Sequence, residues 1–558
     1  MDTLFEKLSN IISSNASLLT TTEQKAPYLR GTEGLTRNIT AVVKVALIQD
    51  VAAILKLANY SAIEKQDQFT VHPICSGRNW GYGTGLPPTD ILPVIIIDLS
   101  RLKKIHLIPE LDLVTIEPGV TQQDLYEFLQ ENNTNYMVPT TGAGPDCAIL
   151  SNAIERGYGI TPNTQHFDAV TSLKGYWASG ELFQSAISDL DKSTHPDGSH
   201  RDLVDKTYKY SPGPYIDGLF TQSSLGIVTE ITIRLARKRE AFKSFFIKVY
   251  NDDLLTDIVP LVQKTLRDYE GIVGSVNLMD KSRILSMFAD NPNGTEQHQV
   301  MSSQQINNIA KQQDTPCWTI VGTIYGTTSV VNVVAKEIKN LFKKIECKFI
   351  FSDSAVIKLG NLVINNMPNF IFKISNKLVD VKKQLNSFNL GEEIMLGKPN
   401  RVALKLAYWR NPQLPSFNKD TNHIFSIAKD KCGLLWYAPL IPMIPAEMER
   451  YVSFIRETCP KYNIEPFITF TNLRHDCLDS TIPIVFDSSN PQAVKDAHDC
   501  LKELVLEGAK QGWVPYRLNI DQQQWVLDKD KPFWKAVQLL QDSFDPNNIL
   551  SPGRYNPR

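Results

Sequence analysis

The sequence predicts an α+β protein in which one domain is interrupted by the insertion of a second. In the first 240 residues, short β-like runs alternate with helical segments. From about residue 240, strand-like runs are each followed by an amphipathic helix, as in 318–345, and a sheet with helices on one side is an α+β layer. Beyond residue 500 the chain returns to short motifs. We therefore expect a first domain over 1–240, an inserted domain over 241–500 and a return to the first domain over 501–558.

Two helices of the first region carry start signals. Asp50 precedes a run with apolar residues at helical spacing (51–65), which predicts a helix that Asp50 caps. Thr121 and Asp124 form a capping box at the start of a second predicted helix, 124–132. Runs of β-branched residues between turn signals predict strands over 69–75, 93–99, 111–120 and 225–236.

Composition excludes several classes of protein. The 58 Lys and Arg residues balance 60 Asp and Glu residues, so no basic field suits a nucleic acid or an anionic membrane. No run approaches the roughly 18 apolar residues of a membrane span, and the acidic amino terminus is unlike a signal peptide. The 8 cysteines lack CxxC spacing, which predicts neither a metal site nor a disulfide framework. We expect a cytoplasmic protein with reduced thiols.

The richest local signal is the segment 76–85, SGRNWGYGTG, between two predicted strands. Its four glycines can adopt positive φ and point successive backbone N–H groups at one anion, as a pyrophosphate requires. A Rossmann fingerprint would need a third glycine where Leu86 stands, and a Walker loop is absent. For this segment alone, a glycine-rich turn without a ligand is the alternative.

Further motifs make the pattern specific. They are GAGP (142–145), SNAIERGYGITP (151–162), GPYIDGLFTQSSLGIVT (213–229), GWVPYR (512–517) and DPNNILSPGRY (545–555). In this order they resemble the flavin domain of the vanillyl-alcohol oxidase / p-cresol methylhydroxylase family. The similarity covers about 70–235 and 510–556, with patches near 434–440 and 468–476.

The resemblance implies a two-part FAD-binding domain of the p-cresol methylhydroxylase (PCMH) type, with an inserted α+β cap domain built on an antiparallel sheet. FAD would lie extended, with its ring at the junction with the cap. Tight β-turns are the alternative role of the individual glycines. The resemblance assigns to the cofactor Ser76, Gly77, Arg78, Asn79, Trp80, Gly81, Gly144, Asn152, Glu155, Gly157, Gly218, Ser223, Gly226, Val228 and Arg554.

By the same resemblance, Tyr82, Tyr516 and Arg517 surround the oxygen of a phenolic substrate. Two O–H donors and a guanidinium would stabilise a para-phenolate, which assists departure of a hydride from the benzylic carbon to flavin N5. The implied activity is oxidation of a small, para-hydroxylated aromatic compound, with reoxidation by O2, a cytochrome or a quinone. An arginine in a structural ion pair, with the tyrosines as core, is the alternative.

The sequence departs from the family at the residue near the reacting carbon. The family often has an Asp directly after a Val-Pro pair, whereas Thr140 follows Val138-Pro139 here. Without that carboxylate, addition of water to an oxidised intermediate lacks its usual base. Asp146 is one substitute, and His475, between Arg474 and Asp476, is another.

A second departure concerns the covalent flavin link. Leu434 stands at the position of the family's histidyl link, and leucine cannot bond to the flavin. We therefore expect FAD without a covalent bond, or with one to an unexpected residue such as Tyr437.

Two other functions remain open. One is an FAD oxidoreductase acting on a non-phenolic alcohol, hydroxy acid or biosynthetic intermediate, since an arginine between tyrosines would also bind a carboxylate. The other is a catalytically lapsed flavin-binding subunit. The family also allows a homo-oligomer, for which the sequence shows no self-complementary patch.

Overall fold

A computed structural model describes residues 2–78, 80–198, 201, 204–289, 291–293, 298–352, 376–410 and 426–556. Its strands are β1 Ser17–Leu19, β2 Ala41–Lys44, β3 Thr70–Ile74, β4 Val94–Asp98, β5 Ile105–Ile108, β6 Leu113–Ile116, β7 Tyr136–Met137, β8 Val170–Trp177, β9 Leu182–Gln184, β10 Gly226–Arg234, β11 Ala236–Arg237, β12 Ala241–Val249, β13 Val273–Asp280, β14 Trp318–Gly326, β15 Lys348–Phe351, β16 Cys432–Tyr437, β17 Leu440–Pro442, β18 Thr469–Asn472 and β19 Cys477–Asp487.

The α-helices are α1 Asp2–Ile11, α2 Thr22–Lys25, α3 Ile48–Glu64, α4 Gln122–Glu131, α5 Ile149–Ile154, α6 Ala186–Leu190, α7 Val204–Thr207, α8 Leu255–Asp268, α9 Lys281–Phe288, α10 Ser303–Gln312, α11 Thr328–Phe342, α12 Asn376–Met395, α13 Pro445–Thr458, α14 Pro491–Lys510, α15 Ile520–Val526 and α16 Pro532–Phe544. Short 3₁₀ helices cover Ala26–Tyr28, Pro109–Leu111, Asp217–Phe220, Asp252–Leu254, Val402–Tyr408 and Cys459–Tyr462.

The first sheet has the order β1-β2-β4-β3, and β2, β4 and β3 run parallel. All five residues of β4 are buried, as expected for a parallel strand covered on each face. The glycine-rich segment follows the carboxyl end of β3, so it lies at an edge where parallel sheets bind ligands.

The second sheet is antiparallel, in the order β5-β6-β10-β8-β9. Its core includes Ile116, Leu173 and Ile231, and it extends to Leu125 of α4 and Leu150 of α5. Packing of the short helix α5 on this core therefore fixes where the following residue, Glu155, emerges.

The third sheet is antiparallel, in the order β15-β12-β14-β13-β18-β19-β16, and β17 also pairs with β19. Side chains such as Ile320, Phe470 and Ile482 form one core with apolar residues of α8, α11, α13 and α14. Because side chains alternate along a strand, the residues between them face the other way.

The end of the chain returns to the first sheet. Val71 of β3 donates its N–H to the carbonyl of Ile549, and Ser551 donates to the carbonyl of Val71. This pairing holds residues 549–554 beside β3, and the domain bounds given above stay a prediction.

The α+β class is confirmed, and so are the four strands and the Thr121 capping box. The role of Asp50 is corrected. Helix α3 begins at Ile48, and Asp50 lies in its first turn, where its carboxylate accepts the N–H groups of Ala46 and Leu47. Among the described residues, no helix is long and apolar enough to cross a membrane.

Candidate active site

A cavity of about 780 Å³ lies where the three sheets approach one another. Its walls come from the glycine-rich segment, residues 150–160, residues 223–228, the closing segment (residues 510–556) and one face of the third sheet. A cleft of this size, with few polar groups among apolar walls, is typical of a site for an organic cofactor or substrate.

The glycine-rich segment has the backbone that an anion cradle requires. Gly77, Gly81 and Gly83 have φ of 66°, 68° and 67°. At Gly81 a side chain would also meet the third sheet, since a Cβ would lie 2.7 Å from Trp436 Cδ1 and 3.0 Å from the Leu434 carbonyl oxygen. Glycine at 81 therefore lets the cradle pack directly against β16.

His72 fixes the far end of the cradle to the closing segment. Its Nε2 donates to the carbonyl of Thr84 at 3.0 Å, and its Nδ1 accepts from the Ser551 hydroxyl at 2.9 Å. Burial, with a contribution from Arg554, lowers the pKa of His72 to about 3. The ring is therefore neutral at physiological pH and can serve as donor and acceptor at once.

A buried carboxylate joins two arginines from the closing segment. Glu155 Oε2 lies 3.3 Å from Arg517 Nε, and Glu155 Oε1 pairs with Arg554 Nη2. The carboxylate is only 4 % exposed. Both of its oxygens, and Nε of each arginine, have no well-formed hydrogen bond within the described part of the chain. The cluster therefore keeps hydrogen-bonding capacity for a bound polar group.

These features fit FAD. The positive-φ cradle suits its pyrophosphate, Arg78 and Arg554 supply positive charge at the cavity, and the unused capacity of Glu155 suits its polyhydroxylated chain. The cavity is also continuous from the cradle to the third sheet, as an extended dinucleotide requires.

The three residues expected to bind a phenol meet on one wall of this cavity. The Arg517 guanidinium lies 4.1 Å from the centre of the Tyr82 ring, and Tyr82 is hydrogen-bonded to Tyr516. The backbone holds both tyrosines in place. The N–H of Tyr516 donates to the carbonyl of Ala438, and the N–H of Ile520 donates to the carbonyl of Tyr82. Burial raises the pKa of Tyr82 to about 12, so its hydroxyl stays a donor.

A fourth tyrosine connects this wall to a buried acid. The rings of Tyr158 and Tyr516 lie 5.8 Å apart, and the Tyr158 hydroxyl donates to Asp479 Oδ2. Asp479 is fully buried, and burial raises its pKa to about 7 although the Tyr158 hydrogen bond opposes the rise. A carboxyl group with this pKa can exchange a proton near neutral pH.

The register of the third sheet sets the composition of the opposite wall. One row across the strands is Phe246, Val321, Asn277, Thr471 and Asp479. The next row on the same face is Lys248, Thr319, Met279, Thr469 and Thr481. All of these except Asp479 line the cavity, because Tyr158 stands between Asp479 and the open space.

Most residues assigned to the cofactor line the cavity, namely Ser76, Gly77, Arg78, Trp80, Asn152, Glu155, Gly157, Ser223, Gly226, Val228 and Arg554. Three glycines do not line it. Gly81 contacts β16, Gly144 lies beside Leu404, and Gly218 lies beside Tyr215. Asn79 lies outside the described residues. The roles of all these residues stay predictions.

The structure does not bring the expected substitute bases to the cavity. Thr140 is buried and donates to the carbonyl of Ile394, and Asp146 pairs with Arg401 at 3.3 Å on the surface. His475 lies in the turn between β18 and β19, where its neighbours Arg474 and Asp476 pair with each other.

Sequence reasoning missed His72, Tyr158 and Asp479. Tyr158 lies within the quoted segment 151–162 but had no role assigned. The signal for Asp479 is its position in β19. Side chains two residues apart on a strand point to the same face, so Asp479 points to the same face as Thr481, which lines the cavity.

Neither Leu434 nor Tyr437, the two residues of β16 considered for a covalent flavin link, is placed to form one. Leu434 is buried in an apolar cluster with Cys432 and Phe467. Tyr437 packs in the helix-facing core, where its hydroxyl donates to the carbonyl of Trp513. Tyr437 thus faces away from the cavity, and the suggestion that it tethers the flavin is wrong.

Comparison with known proteins supports FAD as the cofactor. The family model of the FAD binding domain matches residues 39–185. The chain is 24% identical over 566 residues to 1'-carboxy-chondrochloren decarboxylase of Chondromyces crocatus, covering 98% of this chain and 96% of the relative. It is 25% identical over 550 residues to the 4-cresol dehydrogenase [hydroxylating] flavoprotein subunit of Pseudomonas putida, covering 96% and 92%.

Among solved structures, 4-ethylphenol oxidase from Gulosibacter chungangensis, in its isoeugenol complex, superposes with a TM-score of 0.82. The match covers 100% of this chain and 97% of the oxidase at 19% identity, which shows a shared fold. Fold and cleft together define an FAD-binding oxidoreductase. The chain contains an FAD binding domain and is similar to 4-cresol dehydrogenase and 4-ethylphenol oxidase over nearly its whole length, and FAD is its cofactor.

The raised pKa of Asp479 predicts a specific pH dependence of stability. The unfolded carboxyl ionises near pH 4, whereas the folded one keeps its proton up to about pH 7. Stability of the wild type relative to Asp479→Asn should therefore fall as pH rises from about 4 to 7 and then stay constant. Thermal unfolding of the two proteins across this range measures the difference.

Asp476→Asn is the matched control on the same hairpin. Arg474 lowers the pKa of Asp476, so any change there should be small and of opposite sign, appearing only as pH falls. A difference between wild type and Asp479→Asn that does not vary with pH would contradict the raised pKa.

Proposed function

We propose that this protein uses FAD to oxidise a small para-hydroxylated aromatic compound at the benzylic carbon of the substituent para to its hydroxyl. The observation that carries the proposal is the convergence of Tyr82, Tyr516 and Arg517 on one wall of the cavity that also holds the cradle. The names of the 4-cresol dehydrogenase subunit and the 4-ethylphenol oxidase, which are phenol-directed, support it.

The tyrosines and the arginine would bind the phenolic oxygen. Their donors stabilise the phenolate and lower the pKa of the bound phenol, so the ring can push electrons toward the para substituent. Bound FAD would supply the acceptor for a hydride from the benzylic carbon of that substituent. The protein thus acts mainly by orienting the ring and by balancing negative charge as it develops.

The proton released by the phenol needs an acceptor. The ring of Tyr158 packs against that of Tyr516 and its hydroxyl donates to Asp479, so we infer that Asp479 receives this proton by way of Tyr158. The pKa of Asp479, about 7, suits this exchange near neutral pH. Asp479 rather than His475 is therefore our choice for the group that receives the proton.

Replacement of Arg517 tests the proposal. Because Arg554 still pairs with Glu155, we expect Arg517→Ala to fold and keep its visible flavin absorption. Anaerobic reduction of the flavin by a para-alkylphenol should slow by about 10²-fold or more, as for loss of an electrostatic stabiliser.

The control is Arg474→Ala, an exposed arginine in the β18–β19 turn, which should react within about threefold of wild type. If flavin reduction in Arg517→Ala also stays within about threefold of the wild-type rate, the proposed role of Arg517 is wrong. Failure of para-alkylphenols to reduce the wild-type flavin, with reduction by non-phenolic hydroxy acids instead, would disprove the phenolic substrate.

We also propose that FAD is held without a covalent bond. Leu434 has no nucleophile, and Tyr437 faces the helices. Acid precipitation of the purified protein should release all of the flavin into the supernatant. A yellow pellet would contradict the proposal.

Decarboxylation of a phenolic acid is a second candidate reaction. It is favoured by the similarity to 1'-carboxy-chondrochloren decarboxylase over nearly the whole chain. Release of carbon dioxide from a para-hydroxyphenyl acid, at the rate of flavin reduction, would distinguish it from simple oxidation.

A further inference from the structure

Arg283 brings a further positive charge to the cavity, on a helix that follows the third sheet. It lies in the first turn of α9, directly after β13, and lines the cavity together with Ile284 and Met287. Helix α9, which carries Arg283, is capped at its N-terminus by Asp280, the last residue of β13. Arg283 is thus held just beyond the carboxyl end of β13, a central strand of the third sheet.

The guanidinium of Arg283 has little compensation from the protein. Among the described residues, its side chain makes one hydrogen bond, from Nη1 to the Ser286 hydroxyl at 3.2 Å. Within the described residues no carboxylate oxygen lies within ion-pair distance of it. Asp280 is the acid that acts on it electrostatically, but the Asp280 carboxylate accepts the N–H groups of Ser282, Arg283 and Ile468.

This shortage of compensation has an energetic cost. Burial lowers the pKa of Arg283 to about 10, which expresses the penalty of holding the charge away from water. With five N–H donors, a guanidinium can bind a carboxylate in a bidentate manner while it keeps the Ser286 contact.

Two unpartnered hydroxyls stand on the adjoining sheet face. Thr319 and Thr469 flank Met279 in one row across β14, β13 and β18, and all three side chains line the cavity. The two threonines are 7 % and 8 % exposed, and their hydroxyls have no hydrogen-bond partner in the described part of the chain.

The sheet connects these hydroxyls to the arginine. Met279 directly precedes Asp280, and Ile468, which precedes Thr469, donates its N–H to the Asp280 carboxylate. Asp280 in turn caps the turn of α9 that carries Arg283. Arg283 and the two threonines thus line the same cavity and are linked through Asp280, and we call the part of the cavity that they line its corner.

We propose that Arg283 binds a carboxylate of the substrate at this corner, with the Thr319 and Thr469 hydroxyls available to its oxygens. The inference rests on the proposed function, in which Tyr82, Tyr516 and Arg517 hold the phenol. The substrate is then a phenol with an acidic side chain rather than a simple alkylphenol. Lys248, in the same row, is paired with Asp314 at 3.0 Å, so its charge is compensated. One guanidinium with neutral hydroxyls then suits the single charge of a carboxylate better than the double charge of a phosphate.

Paired ligands test the inference on the FAD-loaded protein. The acid is para-hydroxyphenylpropanoate, and its primary amide has the same shape without the charge. Binding is followed by perturbation of the visible flavin spectrum. The wild type should bind the acid about 10-fold or more tightly than the amide, as for hydrogen bonds to a charged group.

Arg283→Gln should remove this preference by weakening the acid by about 10-fold or more, with amide affinity, flavin spectrum and thermal stability little changed. Lys281→Gln is the matched control, because it removes a charge from the same turn at a side chain that bonds Asn307 outside the cavity. The Lys281→Gln variant should still bind the acid more tightly than the amide.

Equal wild-type affinities for acid and amide would overturn the inference, as would an Arg283→Gln variant that weakens both ligands equally. Tighter binding of a matched phosphonate would overturn the choice of a carboxylate. In these cases para-propylphenol would still bind and reduce the flavin, so the proposed function would stand. If no phenol binds at all, the proposed function and this inference are both wrong.

Discussion

The buried bridge from Glu155 to Arg517 and Arg554 is the interaction on which the site depends. Its three residues come from the end of α5 and from two points in the closing segment. Charges in such a place are stable only when they are paired, because desolvation of an unpaired ion is costly. The bridge therefore holds the closing segment against the first two sheets, where Arg517 meets Tyr82 and Arg554 lines the same cavity as the cradle.

The third sheet adds the other half of the site through its register. Alternation gives its helix-facing side the apolar core of Ile320, Phe470 and Ile482, and leaves polar residues on the cavity side. A shift of one residue in β18 or β19 would turn Thr471 and Asp479 into the core and remove the partner of Tyr158. The same packing that stabilises the cap thus fixes the position of the buried acid.

Local signals predicted much of this fold. The strands on each side of the cradle and the Thr121 capping box could be predicted because they depend on neighbours in sequence. The helix with Asp50 was misplaced by a few residues, since a carboxylate in the first turn can accept the preceding N–H groups. The wall of Tyr82, Tyr516 and Arg517 came from family resemblance, because no local rule brings residues more than 400 positions apart together.

Burial and long-range pairing could not be predicted in this way. Asp146 and His475 are acid or base residues near suitable motifs, yet one pairs with Arg401 at the surface and the other lies in an exposed turn. Asp479, three residues beyond Asp476, is fully buried because its strand parity and the Tyr158 contact place it there. Such a distinction depends on sheet register, which a single sequence does not specify.

A double-mutant cycle on the bridge tests the central claim most directly. Free energies of unfolding would be measured with saturating FAD for wild type, Glu155→Gln, Arg554→Gln and the double variant. We expect a coupling free energy above about 1 kcal/mol between Glu155 and Arg554. The same cycle on the exposed pair of Glu507 and Lys510 is the control and should give a coupling below about 1 kcal/mol. Additive effects at Glu155 and Arg554, within about 0.5 kcal/mol, would contradict the account.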